Sequence, residues 1–226
     1  PITFIKSKRF HNSMAIKEKD FIAVTYTGSL KDDKKIFDTN DLELAKKTNT
    51  FNPKHSYDPE IICVSQGDVV KGLDESFLGK EVNQEYTVEI APENGFGKRD
   101  AKLFQLVPAK IFKDQNIRPM PGLPITINNM PGLVKTVSGG RILVDFNNPL
   151  SGKTILYKVK INKIVTDVKE KAEGYLKLFL GLKQVNIEAK ENNLEIKLRL
   201  PENIQEVTKA KLKERIPELK EITFKE

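Results

Sequence analysis

Val64-Ser-Gln-Gly-Asp-Val-Val-Lys-Gly-Leu-Asp-Glu-Ser-Phe-Leu-Gly79, carried on through Lys80 to Ala91-Pro-Glu-Asn-Gly-Phe-Gly-Lys-Arg-Asp100, is the stretch on which the fold turns. An apolar segment breaks at Gly67. The spacing that follows predicts a short helix with Val69, Leu73 and Phe77 on one face at i, i+4 and i+8, stopped by Gly79. Tyr86, Val88 and Ile90 then alternate with polar residues, the period of a half-buried strand. A helix laid across a sheet in this way leaves a small apolar hollow floored by Leu73. Such a hollow requires no acid, base or metal ligand.

Upstream, residues 21–27 alternate with Ile22, Val24 and Tyr26 on one face, a strand that Gly28 is expected to end. A turn at 31–35 leads to an extended segment at 36–39, a short helix at 42–47 and a Pro/Asn-rich loop running to Pro59. That loop is longer than most connections, and such loops are often functional. Residues 61–64 read as a short buried strand. Downstream, Phe104 and Leu106 alternate, 108–112 forms one helical turn, and four prolines with Gly122 and Gly132 punctuate 119–132. Strands at 133–137 and 141–146, hinged on Ser138-Gly139-Gly140, complete a small all-β insertion. A long strand at 154–164 returns the chain to its first domain. From Lys169 the pattern is helix, two strands, helix and a terminal strand, an α-β-β-α-β unit of its own.

The 226 residues suffice for two or three domains. With 38% hydrophobic and 31% charged residues the chain reads as soluble and globular. The formal charge of +7 is spread among nearly as many acids, with no aromatic-interleaved basic stripe, so nucleic acid is not an expected partner. The single cysteine, Cys63, excludes an internal disulfide and reads as a small buried hydrophobe. His11 and His55 are far apart and lack metal-ligand spacing, which leaves no zinc site and no Ser-His-Asp or Cys-His apparatus. No apolar run approaches the roughly 18 residues of a membrane span. A cytoplasmic protein is expected, with residues 1–13 as a leader ahead of Met14.

Four motifs in order, Val24-Thr-Tyr26-Thr-Gly28, Phe37-Asp38, Gly67-Asp-Val69-Val70-Lys-Gly72-Leu73-Asp-Glu75 and Pro92-Glu-Asn-Gly-Phe96-Gly97-Lys-Arg-Asp100, resemble the FKBP-type peptidyl-prolyl cis-trans isomerases, in particular the SlyD-like archaeal long form. The segment from Val144-Asp145-Phe146-Asn147 through Pro149-Leu150-Ser151-Gly152-Lys153 resembles the exit from the insert-in-flap domain of such proteins. The resemblance implies an α+β fold: an antiparallel half-barrel around one helix, with an inserted small all-β domain and an extra C-terminal domain. The isomerase domain would occupy 14–98 and 146–167, the insert 99–145 and the C-terminal domain 168–226.

Carried over residue by residue, the resemblance places Tyr26, Phe37 and Asp38 on one wall of a prolyl pocket, Val69 and Val70 on another, Leu73 as floor, and Phe96 and Tyr157 at the rim. Ile62 completes the apolar side. Phe77 and Val88 are read as core. Phe96 stands where many relatives carry Tyr, and Leu73 replaces the Trp of many short relatives. No role follows for Glu60, or for Asn148 where SlyD-like relatives usually carry His. In the insert, Phe104, Leu106, Met120, Met130 and Leu133 form either a shallow groove that captures unfolded chains or a minimal core.

The implied activity is isomerisation of Xaa-Pro bonds in unfolded or partly folded polypeptides, with chaperone activity and no cofactor. A holdase or partner-binding module with a vestigial pocket is the competing reading. For the C-terminal domain, homodimerisation is expected first and extra client binding second. The His/Cys-rich tail of bacterial SlyD is missing, so nickel delivery drops out.

Overall fold

The structure, a computed structural model, describes residues 15–225. The expected leader at 1–13, and His11 with it, lie outside the described residues. The chain divides into two compact units, one made of the residues up to Ile90 together with those from Ile155 on, the other of Ala91–Thr154.

Elements run in the order β1 (Phe21–Leu30), β2 (Ile36–Thr39), α1 (Leu42–Lys47), β3 (Glu60–Cys63), α2 (Lys71–Ser76) and β4 (Glu85–Ile90). In the second unit follow β5 (Phe104–Pro108), α3 (Ala109–Asp114), β6 (Pro124–Ile127), β7 (Met130–Ser138) and β8 (Arg141–Asp145). The chain closes with β9 (Ile155–Val165), α4 (Val168–Leu180), β10 (Asn186–Lys190), β11 (Asn193–Lys197), α5 (Glu202–Arg215) and β12 (Glu221–Lys225).

In the first unit an antiparallel sheet is ordered β2-β1-β9-β4, with β3 also paired to β1. The first half of β1 pairs with β3, Ile22 opposite Ile62, and its second half with β2, Gly28 opposite Asp38. Gly28 therefore does not end the strand as expected; it lies inside it, at a register shift. A Cβ at position 28 would stand 2.8–2.9 Å from ring atoms of Phe37 and Tyr157, so glycine is required by the close approach of two aromatic rings. The start of β1 is buried on both faces rather than half-buried. Phe21 and Ala23 share a core with Ala172, Tyr175 and Leu176 of α4, while Val24 faces the hollow beside α2.

Helix α2 starts later than the spacing predicts. Val70 is its N-cap and Val69 lies in the preceding turn. That turn, with Ser65 and Gly67 at φ of 62° and 72°, is held by the buried Asp74 carboxylate, which accepts from the Ser65 and Gly67 amides at 2.7 and 3.0 Å. The α-β-β-α-β order expected after Lys169 is found. Its strands form a sheet ordered β10-β11-β12, and its core runs through Ile187, Leu194, Ile196 and Leu212 into Phe21, Cys63 and Val165 of the larger sheet. Burial pushes the Cys63 thiol up to about 11, the state of an inert cysteine.

The second unit is a four-stranded antiparallel sheet ordered β5-β8-β7-β6 around Val107, Phe112, Val134, Ile142 and Val144. Strand β6 goes unforeseen in the sequence because it begins at Pro124. It is an edge strand, where a leading proline costs no ladder bond. Gly139 and Gly140, both at positive φ, form the two-residue turn between β7 and β8. No helix among the described residues is long and apolar enough to cross a membrane.

Candidate active site

A cavity of ≈ 350 Å³ opens in the first unit between the sheet and α2. Tyr26 from β1, Asp38 from β2, Val69 and Val70 from the turn before α2, Leu73 from α2 and Tyr157 from β9 line it together, with Phe37 outside the lining. The three aromatic rings interlock: Tyr157 meets Phe37 edge-on at 5.8 Å and Tyr26 at 6.0 Å. Val24, Phe77 and Val159, buried core positions, close the base. Ile62, expected on the apolar side, is packed in the core at 1% exposure in register with Ile22, outside the lining. Phe96 belongs to the second unit, where its carbonyl accepts from the Ser151 hydroxyl at 2.8 Å.

Asn40, a residue with no role in the sequence reading, sets the walls. Its side chain accepts from the Tyr26 amide at 2.8 Å and donates to the Val24 carbonyl at 2.9 Å, tying the end of β2 to β1. The Thr27 and Thr39 hydroxyls pair across the same strands at 2.9 Å. Val70, one residue ahead of the first helical turn, has an N–H outside the helical ladder.

Glu60 and Leu178 also line the cavity. Glu60 opens β3 directly after Asp58-Pro59, and an acid at the polar start of a strand carries no signal of its own. Leu178 comes from α4, more than a hundred residues along, and nothing local in the sequence points to it. Burial raises the Glu60 and Asp38 carboxyls above the ordinary carboxylate range, while Tyr26 and the His55 charge pull both back. The Tyr26 hydroxyl lies against both carboxyls but has one proton to donate. Its own ionisation is pushed far up, first by burial and then by the two acids. Burial likewise raises Tyr157. The site is thus an apolar floor under a small, partly desolvated hydrogen-bond cluster.

In the second unit a hollow of ≈ 1160 Å³ is lined by Ile117, Leu123, Ile125, Leu133 and Phe146 among others. The Phe146 ring lies where a Cβ on Gly132 would stand, at 2.8 Å. Of the residues expected to capture chains, Leu133 lines this hollow. Leu106, Met120 and Met130 are exposed outside its lining, and the Arg99 guanidinium lies 5.5 Å over the Phe104 ring.

Residues 12–114 match the family of FKBP-type peptidyl-prolyl cis-trans isomerases, and residues 105–150 match the FKBP26, IF domain. A short-type peptidyl-prolyl cis-trans isomerase of Methanocaldococcus jannaschii is 34% identical over 149 residues, 66% of this chain and 94% of that protein. The chain belongs to the FKBP-type peptidyl-prolyl cis-trans isomerases. Other relatives of this FKBP-type enzyme include a probable FKBP-type 16 kDa isomerase of Pseudomonas fluorescens, 32% identical over 108 residues, 46% of this chain and 71% of that protein. The FKBP-type isomerase SlyD of Vibrio cholerae is 31% identical over 97 residues, 42% of this chain and 48% of that protein. As an FKBP-type isomerase the protein acts on polypeptides, and its likeness to SlyD supports the SlyD-like character implied by the motifs.

Proposed function

We propose that the cavity of the first unit is where the Xaa-Pro bond is twisted, and that the second unit captures unfolded chains, so that the protein is a folding chaperone as well as an isomerase. The barrier to rotation is about 18–20 kcal/mol because the planar amide is resonance-stabilised. The uncatalysed step takes tens to hundreds of seconds. The planar amide is more charge-separated than the twisted one. Moving it from water onto Leu73, Val69 and the Tyr26 and Tyr157 rings therefore favours the twisted form, and tighter binding of that form lowers the barrier. The Val70 N–H anchors a substrate carbonyl. Asp38 orients Tyr26 or faces the twisted carbonyl carbon. No covalent intermediate is involved.

The observation that carries this reading is the convergence of Tyr26, Asp38, Val69, Val70 and Leu73, from three separate motifs, with Tyr157 of β9 on one apolar cavity. Chaperone action is supported by the large hollow of the second unit, with Ile117, Leu123, Ile125, Leu133 and Phe146 in its lining, and by Leu106 and Met120, 60% and 53% exposed, which are adaptable contacts for unfolded chains. Refolding of a protein whose slow step is prolyl isomerisation tests both halves: catalysed refolding with suppressed aggregation is expected. Suppressed aggregation without catalysis would leave a holdase with a vestigial pocket. For α4 to β12, homodimerisation remains a second role, tested by light scattering with and without 170–226.

A further inference from the structure

Beside the prolyl cavity lies a second hollow of ≈ 290 Å³, and the two share a partition, since Glu60 and Leu178 line both. The loop around His55 forms one wall of this groove and α4 the other. The seating of α4 is unusually close. A Cβ on Gly174 would stand 2.4 Å from the Cβ of Ile61 on β3, so the helix rests there only because residue 174 is glycine. A glycine inside a helix costs stability relative to alanine. Its use here is to bring α4 against the strand that carries Glu60, and this sets the width of the groove.

Across from α4, the His55 ring is braced edge-on by Tyr57 at 5.2 Å, and its Nε2 has no hydrogen-bond partner among the described residues. A native wall that leaves a buried polar atom unpaired is not arranged for stability alone. The lining is apolar at Ile61 and Leu178, and it carries both signs of charge, Lys54 and Lys177 with Asp58. A partly apolar lining of mixed charge suits varied side chains along a peptide better than a single ion or a fixed cofactor.

We infer that this groove is a substrate subsite: the residues flanking the proline of an extended polypeptide lie in it, between α4 and the His55 loop, while the proline occupies the adjoining cavity. The occupant follows from continuity. A chain seated in the first cavity meets the Glu60 and Leu178 partition on leaving it, and the hollow beyond is bounded by the same two side chains. Helix α4 is thereby part of the substrate site. The inference rests on the prolyl reading of the first cavity.

The test uses the full chain and two peptides with the same Xaa-Pro bond, a tetrapeptide and a dodecapeptide with four further residues on either side. The wild type is expected to show a KM for the dodecapeptide about 5-fold or more below that for the tetrapeptide. Lys177→Trp and Ser56→Trp, which fill the groove from opposite walls, bring that ratio toward one. A ratio unchanged in both folded variants, or no length dependence in the wild type, overturns the subsite. Should the tryptophans impair folding, the unaltered protein decides. One of only two histidines in the chain, His55 is expected to shift its imidazole resonances with the dodecapeptide and not with the tetrapeptide, and unmoved resonances overturn the inference. Turnover of neither peptide by the wild type would instead remove the prolyl reading on which the subsite stands.

Discussion

Arg215 of α5 and Asp68, in the turn ahead of α2, form a buried ion pair, Nη1 to Oδ1 2.6 Å, with side chains 12% and 6% exposed. A second Arg215 nitrogen donates to the Gln66 carbonyl at 3.1 Å, and the guanidinium lies 4.7 Å over the Tyr175 ring. The other Asp68 oxygen accepts from the Cys63 amide at 2.8 Å. The turn that presents Val69 and Val70 is thus held from a helix near the end of the chain. Removing one partner of such a pair leaves a buried charge uncompensated and costs about 3–5 kcal/mol. Arg215→Ala is expected to lower stability in urea by about that much, and Arg215→Lys to recover part of it. Peptide isomerisation at a temperature where both variants remain folded should fall with Arg215→Ala. Unchanged stability and turnover would show that the tie does not position the wall.

Gly28→Ala tests the interlocked rings. The added Cβ would stand 2.8–2.9 Å from Phe37 and Tyr157, which must then move apart. Overpacking of this kind costs about 1–3 kcal/mol. Thermal unfolding should show that loss, and kcat/KM on a proline peptide should drop by roughly an order of magnitude, the effect expected of misplacing groups that bind the twisted amide. A variant that melts lower yet turns over normally would detach the rings from catalysis.

The acidic pair gives a pH dependence with a definite sign. Glu60 and Asp38 hold their protons to higher pH in the folded chain than in the unfolded one, chiefly through burial and against the opposing pull of Tyr26 and His55. Between the ordinary carboxylate range and these raised values the folded state binds more protons, so stability falls as the pH rises through that window. Glu60→Gln removes one of the two acids. At pH 7 the variant is expected to melt above the wild type, because it no longer holds a desolvated carboxylate there. The difference should vanish below about pH 3, where both carboxyls are protonated in either state. A wild type as stable as the variant at pH 7 would contradict the desolvated pair.

Excising residues 99–145 separates capture from chemistry. Catalysed refolding of a protein substrate should fall by an order of magnitude or more, with isomerisation of a short peptide changed far less. Proportional losses in the two assays would sink the capture role of the second unit.

The motif residues were legible because each short pattern carries its own geometry. Tyr26 alternates on a strand, Asp38 follows Phe37 on the paired strand, and the Gly67 to Leu73 run turns into α2, so their meeting follows once the half-barrel is implied. Ile62 shares the cavity-side face of β3 with Glu60, but two residues on it is packed against Ile22 in the core, and an apolar pattern does not say where along a strand the lining of a cavity stops. Glu60, Leu178 and Arg215 were out of reach for another reason. Their roles depend on α4 and α5 docking against β3 and the α2 turn, through a glycine at 174 and an arginine at 215 that look like ordinary helical residues in the sequence. Strand β6 was masked by its leading proline.

The central claim, that the apolar cavity of the first unit is the catalytic site, is tested most directly by Phe37→Ala and Asp38→Ala in a proline-limited peptide isomerisation assay, with unfolding of the same variants measured alongside. In both variants kcat/KM is expected to fall at least tenfold while the folded state persists under assay conditions. Full turnover in folded Phe37→Ala and Asp38→Ala proteins would contradict it, and so would a loss of turnover no greater than the loss of folded protein.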